Sequence, residues 1–127
     1  MRERRRSSSD GKWEPIVGYS RAVRVGDTVY VSGCSGAGPG GVIDTLDPYE
    51  QATRAIQTMR RALEELGMSL EQVVKTGVYL RNMDHWEAVA RAHREAFSEI
   101  RPACLWVEGG KMVHPDMLLE IDAIAVE

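Results

Sequence analysis

The chain has 127 residues, enough for one domain with a buried core and too few for two of ordinary size. Apolar residues make up 43%, charged residues 28% and aromatic residues 6%, the balance of a globular protein rather than a disordered or fibrous one. The formal charge is −3, yet Arg2, Arg4, Arg5 and Arg6 against Glu3 give the first six residues +3, which leaves −6 on the remainder and argues against a nucleic-acid surface.

No apolar run approaches the roughly 18 to 20 residues of a membrane span, and the basic start lacks a signal peptide's apolar stretch. No membrane contact and a cytoplasmic location are therefore expected. Cys34 and Cys104 show no zinc or redox spacing, so free thiols are expected.

Residues 1 to 12, rich in Arg and Ser, read as a disordered basic leader, with a single domain over residues 13 to 127. Trp13 to Gly18 is an entry segment in which Pro15 and Gly18 break any regular element. Tyr19 to Val25 and Thr28 to Cys34 flank a Gly26-Asp27 turn of hairpin type, and the second arm is β-branched and aromatic, as in a central strand. Ser35 to Gly41 follows, with Gly36, Gly38, Gly40 and Gly41 around Pro39. It reads as a mobile loop rather than a phosphate cradle, because it runs on to Val42-Ile43-Asp44 before any helix begins.

Asp47 and Pro48 form an N-cap and first helical turn, completed by Glu50. Ala52, Ala55, Ile56, Met59, Ala62, Leu63 and Leu66 then recur at helical spacing up to a stop at Gly67. Ser69 and Gln72 make a second capping signature, followed by a strand over Val73 to Leu80. A second helix opens at Asn82-Met83-Asp84, carries Trp86, Val89, Ala90, His93, Ala96, Phe97 and Ile100 on its apolar side, and ends before Pro102. Two last strands, Ala103 to Val107 and Leu119 to Val126, are separated by a Gly109-Gly110 turn and a linker. In the second, Leu119, Ile121, Ala123 and Ala125 alternate with Glu120, Asp122, Ile124 and Val126.

This order predicts an α+β domain, a mixed sheet with two helices on one face. The other face keeps apolar residues and calls for a second copy of the chain as its cover. Glu120 is the residue on which function turns: a carboxylate in an apolar strand is either solvated or held in a cleft for chemistry.

Several segments in this order resemble the Rid family, the reactive intermediate deaminase A-like (YjgF-type) proteins. They are Tyr19-Ser20-Arg21-Ala22-Val23, Val25 to Gly33, Val73 to Leu80, Pro102-Ala103, and Glu120 to Val126. The resemblance implies a chorismate-mutase-like ββαβαβ fold, assembled as a homotrimer with an inner barrel and small-molecule clefts at the subunit interfaces. It implies hydrolysis of imine or enamine intermediates to a 2-oxo acid and ammonia, without a cofactor. A glutamate of the last strand, here Glu120, handles water, while an arginine after Pro-Ala binds the substrate carboxylate.

The chain departs from that pattern at named positions. Cys104 stands in place of the arginine, Trp106 in place of a cysteine, Cys34 where a glutamine is common, and Ala90 where an asparagine is. Arg101 lies at an odd offset from Cys104 and points to the opposite face of a strand. Loss of the guanidinium disfavours simple 2-imino acids and favours neutral or aromatic ligands. The expected site is therefore catalytic Glu120, with Tyr19, Gly33, Cys34, Cys104, Leu105 and Trp106 binding substrate. The spacing of His85, His93 and His114 gives no metal site and no base for Cys104, which reads as passive cleft lining. A non-catalytic ligand-binding or regulatory trimer is the alternative.

Overall fold

In the computed structural model, which describes residues 2–127, the chain runs Arg4–Ser7 (β1), Trp13–Val17 (α1), Ala22–Val25 (β2), Thr28–Cys34 (β3) and Pro48–Glu65 (α2). It continues through Val73–Leu80 (β4), Trp86–Phe97 (α3), Ala103–Glu108 (β5) and Leu119–Val126 (β6). The six strands form one sheet in the order β1-β2-β3-β6-β4-β5. All neighbours are antiparallel except β4 and β5, which are parallel and joined through α3.

Local chemistry accounts for the boundaries. Asp47 accepts a hydrogen bond from the Tyr49 amide at the start of α2, with Pro48 in the first turn. Ser69 and Gln72 form a reciprocal capping box on a short 3-10 turn that leads into β4.

The core lies between the sheet and the two long helices. Alternation along β6 turns Leu119, Ile121, Ala123 and Ala125 inward, where they meet Val29 and Val31 of β3, Val78 and Leu80 of β4, and Met59 and Leu63 of α2, all buried. The same alternation sends Glu120, Asp122 and Ile124 to the opposite face. That face carries Tyr30, Leu105, Val107 and Tyr79, exposed at 53%, 49%, 37% and 36%.

Two expectations need correction. The basic leader is not disordered over its length: Arg4–Ser7 pairs with β2 from Arg4 opposite Val25 to Ser7 opposite Ala22. Ser7 is buried and donates to Glu65 Oε2 at 2.5 Å, tying the strand to the end of α2. Consecutive arginines carry no hydrophobic period, and an edge strand held by backbone hydrogen bonds needs none. Trp13–Val17 is helical although Pro15 lies within it, because proline is tolerated in the first turn, where no intrahelical N–H bond is yet required. Left-handed Gly18 closes the helix.

Candidate functional site

Glu120 lies beside β3 at the point where that strand loses its side chain. The β3–β6 register shifts between Val31 and Cys34, and within that irregularity Gly33 leaves room for the carboxylate. A Cβ on Gly33 would stand 2.7 Å from Glu120 Oε2. Burial raises the Glu120 pKa, the positive charge of Arg21 pulls it back, and Asp122 pushes it up again, so the net shift is upward.

Arg21 enters from the residue before β2. It is 6% exposed and donates to the Gly33 carbonyl, while its Nε and Nη2 each lie 3.4 Å from Glu14 Oε2. Glu14, from α1, is 5% exposed and accepts from the hydroxyl of Ser9 as well. Arg21 Nη2 is 3.4 Å from Tyr19 Oη and Nη1 is 3.7 Å from Cys34 Sγ. A buried cation is thus matched by a buried anion and by a carbonyl, which is what makes its burial tolerable. A cleft of about 920 Å³ brings Tyr19, Arg21, Gly33 and Glu120 together, with His114 and Met117 also in its lining.

Cys34 closes the floor of that cleft rather than reaching into it. It is 1% exposed, and burial pushes its thiol up to about 11 against the pull of Arg21. The sulfur is therefore a protonated, packed group at neutral pH.

The remaining expected site residues lie elsewhere in the protomer. Thr76 pairs with Cys104, Gly77 with Leu105 and Val78 with Trp106, so side chains along β5 alternate faces with those of β4. Leu105 projects to the open face and borders a shallow depression of about 250 Å³ with Tyr30, Lys75, Tyr79 and Asp122. Cys104 and Trp106 share the helix-covered face of Thr76 and Val78 instead. Trp106 packs against the core with its ring edge toward His93. One protomer therefore assembles Glu120, Gly33, Tyr19 and Cys34 and leaves Leu105, Cys104 and Trp106 apart from them.

Sequence reasoning missed Glu14 and Arg21. Only the interruption of an apolar arm by a cation directly before Ala22 hinted at Arg21, and nothing marked Glu14. It also missed the histidine beside Cys104: Cys104 Sγ is 4.0 Å from His93 Nε2 and 3.1 Å from Thr76 Oγ1. Among the described residues, no three His, Cys, Asp or Glu side chains converge as a metal site.

Comparison with known proteins places this geometry among relatives. The family model described as Endoribonuclease L-PSP matches residues 11–127. The chain is 31% identical over 117 residues to the 3-aminoacrylate deaminase RutC of Acinetobacter baylyi, covering 91% of this chain and 92% of that one. It is 32% identical over 114 residues to a 2-iminobutanoate/2-iminopropanoate deaminase of Dermatophagoides farinae, covering 89% and 88%. Among solved structures, a member of the YjgF/YER057c/UK114 family from Mycobacterium tuberculosis superposes with a TM-score of 0.89 at 36% identity, covering 98% of this chain and 100% of that one.

Proposed function

The chain belongs to the Endoribonuclease L-PSP family, the Rid or YjgF proteins, and from that membership we propose that it hydrolyses small imine or enamine metabolites in clefts of a homotrimer. The observation that carries this reading is Glu120: a half-buried carboxylate with a raised pKa, set against a glycine and within the field of a buried arginine, in a cleft large enough for a metabolite. The names of the two deaminase relatives support the substrate class, an enamine in one case and imines in the other.

The chemistry asks for one group that takes and returns a proton. With the imine entering as its protonated iminium form, Glu120 as carboxylate removes a proton from water while the water oxygen bonds to the iminium carbon, and the C=N electron pair moves to nitrogen to give a neutral amino group. In the carbinolamine so formed, protonated Glu120 gives its proton to the amino group. The C–N bond then breaks, ammonia leaves, and the hydroxyl gives its proton to the again-ionised Glu120 as its oxygen becomes the carbonyl. An enamine joins this path once it tautomerises to the imine. Burial assists by keeping the group's pKa nearer the working pH than an exposed glutamate's would be.

Substrate choice follows from Cys104. Without a guanidinium at that position the neighbouring copy offers no clamp for a substrate carboxylate, and the charge of Arg21 is already offset by Glu14. We therefore infer a preference for uncharged or aromatic imines, with Tyr19 and Trp106 as walls. The same substitution supports a second reading, a ligand-binding trimer without turnover. RNA cleavage, which the family's name evokes, is disfavoured by the acidic body of the chain.

Ammonia release from freshly generated 2-aminoacrylate and from a bulkier aromatic imine tests these readings. The wild type is expected to turn over the aromatic imine, Glu120→Gln to lose about 10²-fold, and Cys104→Arg to gain activity on 2-aminoacrylate. Saturable binding with no ammonia from either substrate would move the assignment to the binding trimer. RNA cleavage that disappears in Glu120→Gln would replace both.

A further inference from the structure

Arg21 uses every donor it has inside the protein. Nε and Nη2 each lie 3.4 Å from Glu14 Oε2, and Nη2 lies 3.4 Å from Tyr19 Oη as well. Nη1 donates to the Gly33 carbonyl and lies 3.7 Å from Cys34 Sγ. One contact from Nε and two from each Nη account for all the N–H groups of a guanidinium. None is left for a substrate, so Arg21 holds the site rather than the ligand. What it holds lies against Glu120. The Gly33 carbonyl belongs to the stretch where β3 leaves its register with β6, and a Cβ on that residue would stand 2.7 Å from Glu120 Oε2. The guanidinium also lies 5.6 Å from the centre of the Tyr19 ring.

Glu14 is held in turn by the residues before α1. The Ser9 amide donates to Oε1 at 3.2 Å and the Ser9 hydroxyl donates to Oε2. The Gly11 amide donates to Ser9 Oγ at 3.2 Å, and a Cβ on Gly11 would stand 3.1 Å from Glu14 Oε2. Donors on both oxygens fix the carboxylate's orientation as well as its place. Glu14 and Arg21 are both buried, with little water to screen them. The position of the anion therefore governs how much of the arginine's positive field reaches Glu120.

We propose that the residues before β2 complete the site: Ser9 fixes Glu14, Glu14 fixes and offsets Arg21, and Arg21 positions the Gly33 carbonyl and sets the charge beside Glu120. Ser9, Glu14 and Arg21 are positioning residues that act through Glu120, and the inference rests on the reading of Glu120 as the proton-transfer group. Around that carboxylate stand Arg21, Cys34 of β3, Tyr79 of β4 and Asp122 of its own strand, with His114 and Asp116 in the cleft lining. Burial holds the Cys34 thiol, and Asp122 the Tyr79 phenol, above the ordinary range, so both are uncharged at neutral pH. Arg21 is the group that pulls the Glu120 pKa down, against burial and Asp122.

The test is the titration of the Glu120 carboxyl carbon by carbon NMR, in protein labelled at glutamate Cδ, with the signal assigned by its loss in Glu120→Gln. Glu14→Gln keeps the side-chain shape and removes the offsetting anion, and is expected to shift the Glu120 midpoint to lower pH. The double variant Glu14→Gln, Arg21→Gln leaves no buried charge unpaired, and is expected to shift the midpoint to higher pH, because the cation that bears on Glu120 is gone. Ser9→Ala is expected to shift it down by less than Glu14→Gln does, and to add nothing in the Glu14→Gln background. Mere loosening of the cleft would admit water and lower the midpoint in every variant. The acid limb of ammonia release should move with the midpoint. Shifts in the stated directions without any ammonia from the wild type would keep the positioning chain and remove the hydrolase reading. A midpoint unchanged in Glu14→Gln, or moved to lower pH in the double variant, would overturn the proposal.

Discussion

Gly33 shows how little room the Glu120 carboxylate has. A Cβ there would lie 2.7 Å from Oε2 and 3.2 Å from Cδ of Glu120, the free end of a flexible side chain. Gly33→Ala is therefore expected to swing the carboxylate aside rather than disturb the backbone. Ammonia release should fall by about 10²-fold while the melting temperature stays close to wild type. The titration of Glu120 gives a second expectation. Burial raises its folded pKa above the ordinary 4.5, so ammonia release should fall as pH drops through that raised value, on a limb that Glu120→Gln lacks. Stability moves the other way: folded Glu120 holds its proton more tightly than the unfolded chain, so its contribution is full below 4.5 and is lost as pH rises through the folded pKa. At pH 7 Glu120→Gln should thus melt at or above the wild-type temperature, as a thermal scan against pH will show. At this scale the sequence pointed to Glu120, Gly33 and Tyr19 through the resemblance. It did not point to Glu14, because no helical or strand period says that a glutamate in a one-turn helix will be buried against an arginine seven positions on, across a chain reversal at Gly18.

Gln51 links the elements that deliver Glu120 to the cleft. It lies in the first turns of α2, fully buried, and donates from Nε2 to the carbonyls of Thr45 and Asp116 at 2.7 and 2.9 Å. Its Oε1 accepts from the Leu118 amide at 3.1 Å, one residue before β6. Gln51→Leu keeps the volume but leaves these backbone groups without partners, and is expected to cost about 2 kcal/mol, measured by urea denaturation. The segment over residues 114–118 should gain hydrogen exchange along with it. The boundaries of α2, β3, β4 and β6 were legible in caps, turns and alternation, because those signals are local. Gln51 was not legible: its partners lie six, 65 and 67 positions away. The β1 strand was illegible for a related reason, since its order comes from pairing with β2 and from Ser7 reaching Glu65.

Among the described residues, neither long helix covers the sheet face that carries Tyr30 and Leu105. Tyr30 and Leu105 stand there at 53% and 49% exposure, around a depression that also holds Lys75, Tyr79 and Asp122. An exposed apolar face rimmed by polar groups is what a self-association surface looks like. We expect sedimentation to give a trimer for the wild type and a smaller species for Leu105→Glu, which would bury a carboxylate in that contact. A wild-type monomer would remove the subunit clefts from the functional reading. A trimer would also bear on site geometry, because in one protomer Cys104 and Trp106 lie on the helix-covered face while Glu120 lies on the other. A second copy would be needed to bring Cys104 or Trp106 to the Glu120 cleft.

By itself the sequence determined the α+β class, the family, the helix and strand order of the body, and which face of β6 carries Glu120. Each of these rests on periods, caps and motifs that neighbouring residues express. Tertiary structure alone decided that Arg21 and Glu14 neutralise each other under the cleft, that Cys34 is sealed in its floor, and that Cys104 meets His93 through Thr76. Those facts depend on strand pairing and helix packing, which join residues far apart in the chain and set their burial, and burial governs the charge, proton and thiol chemistry of the site.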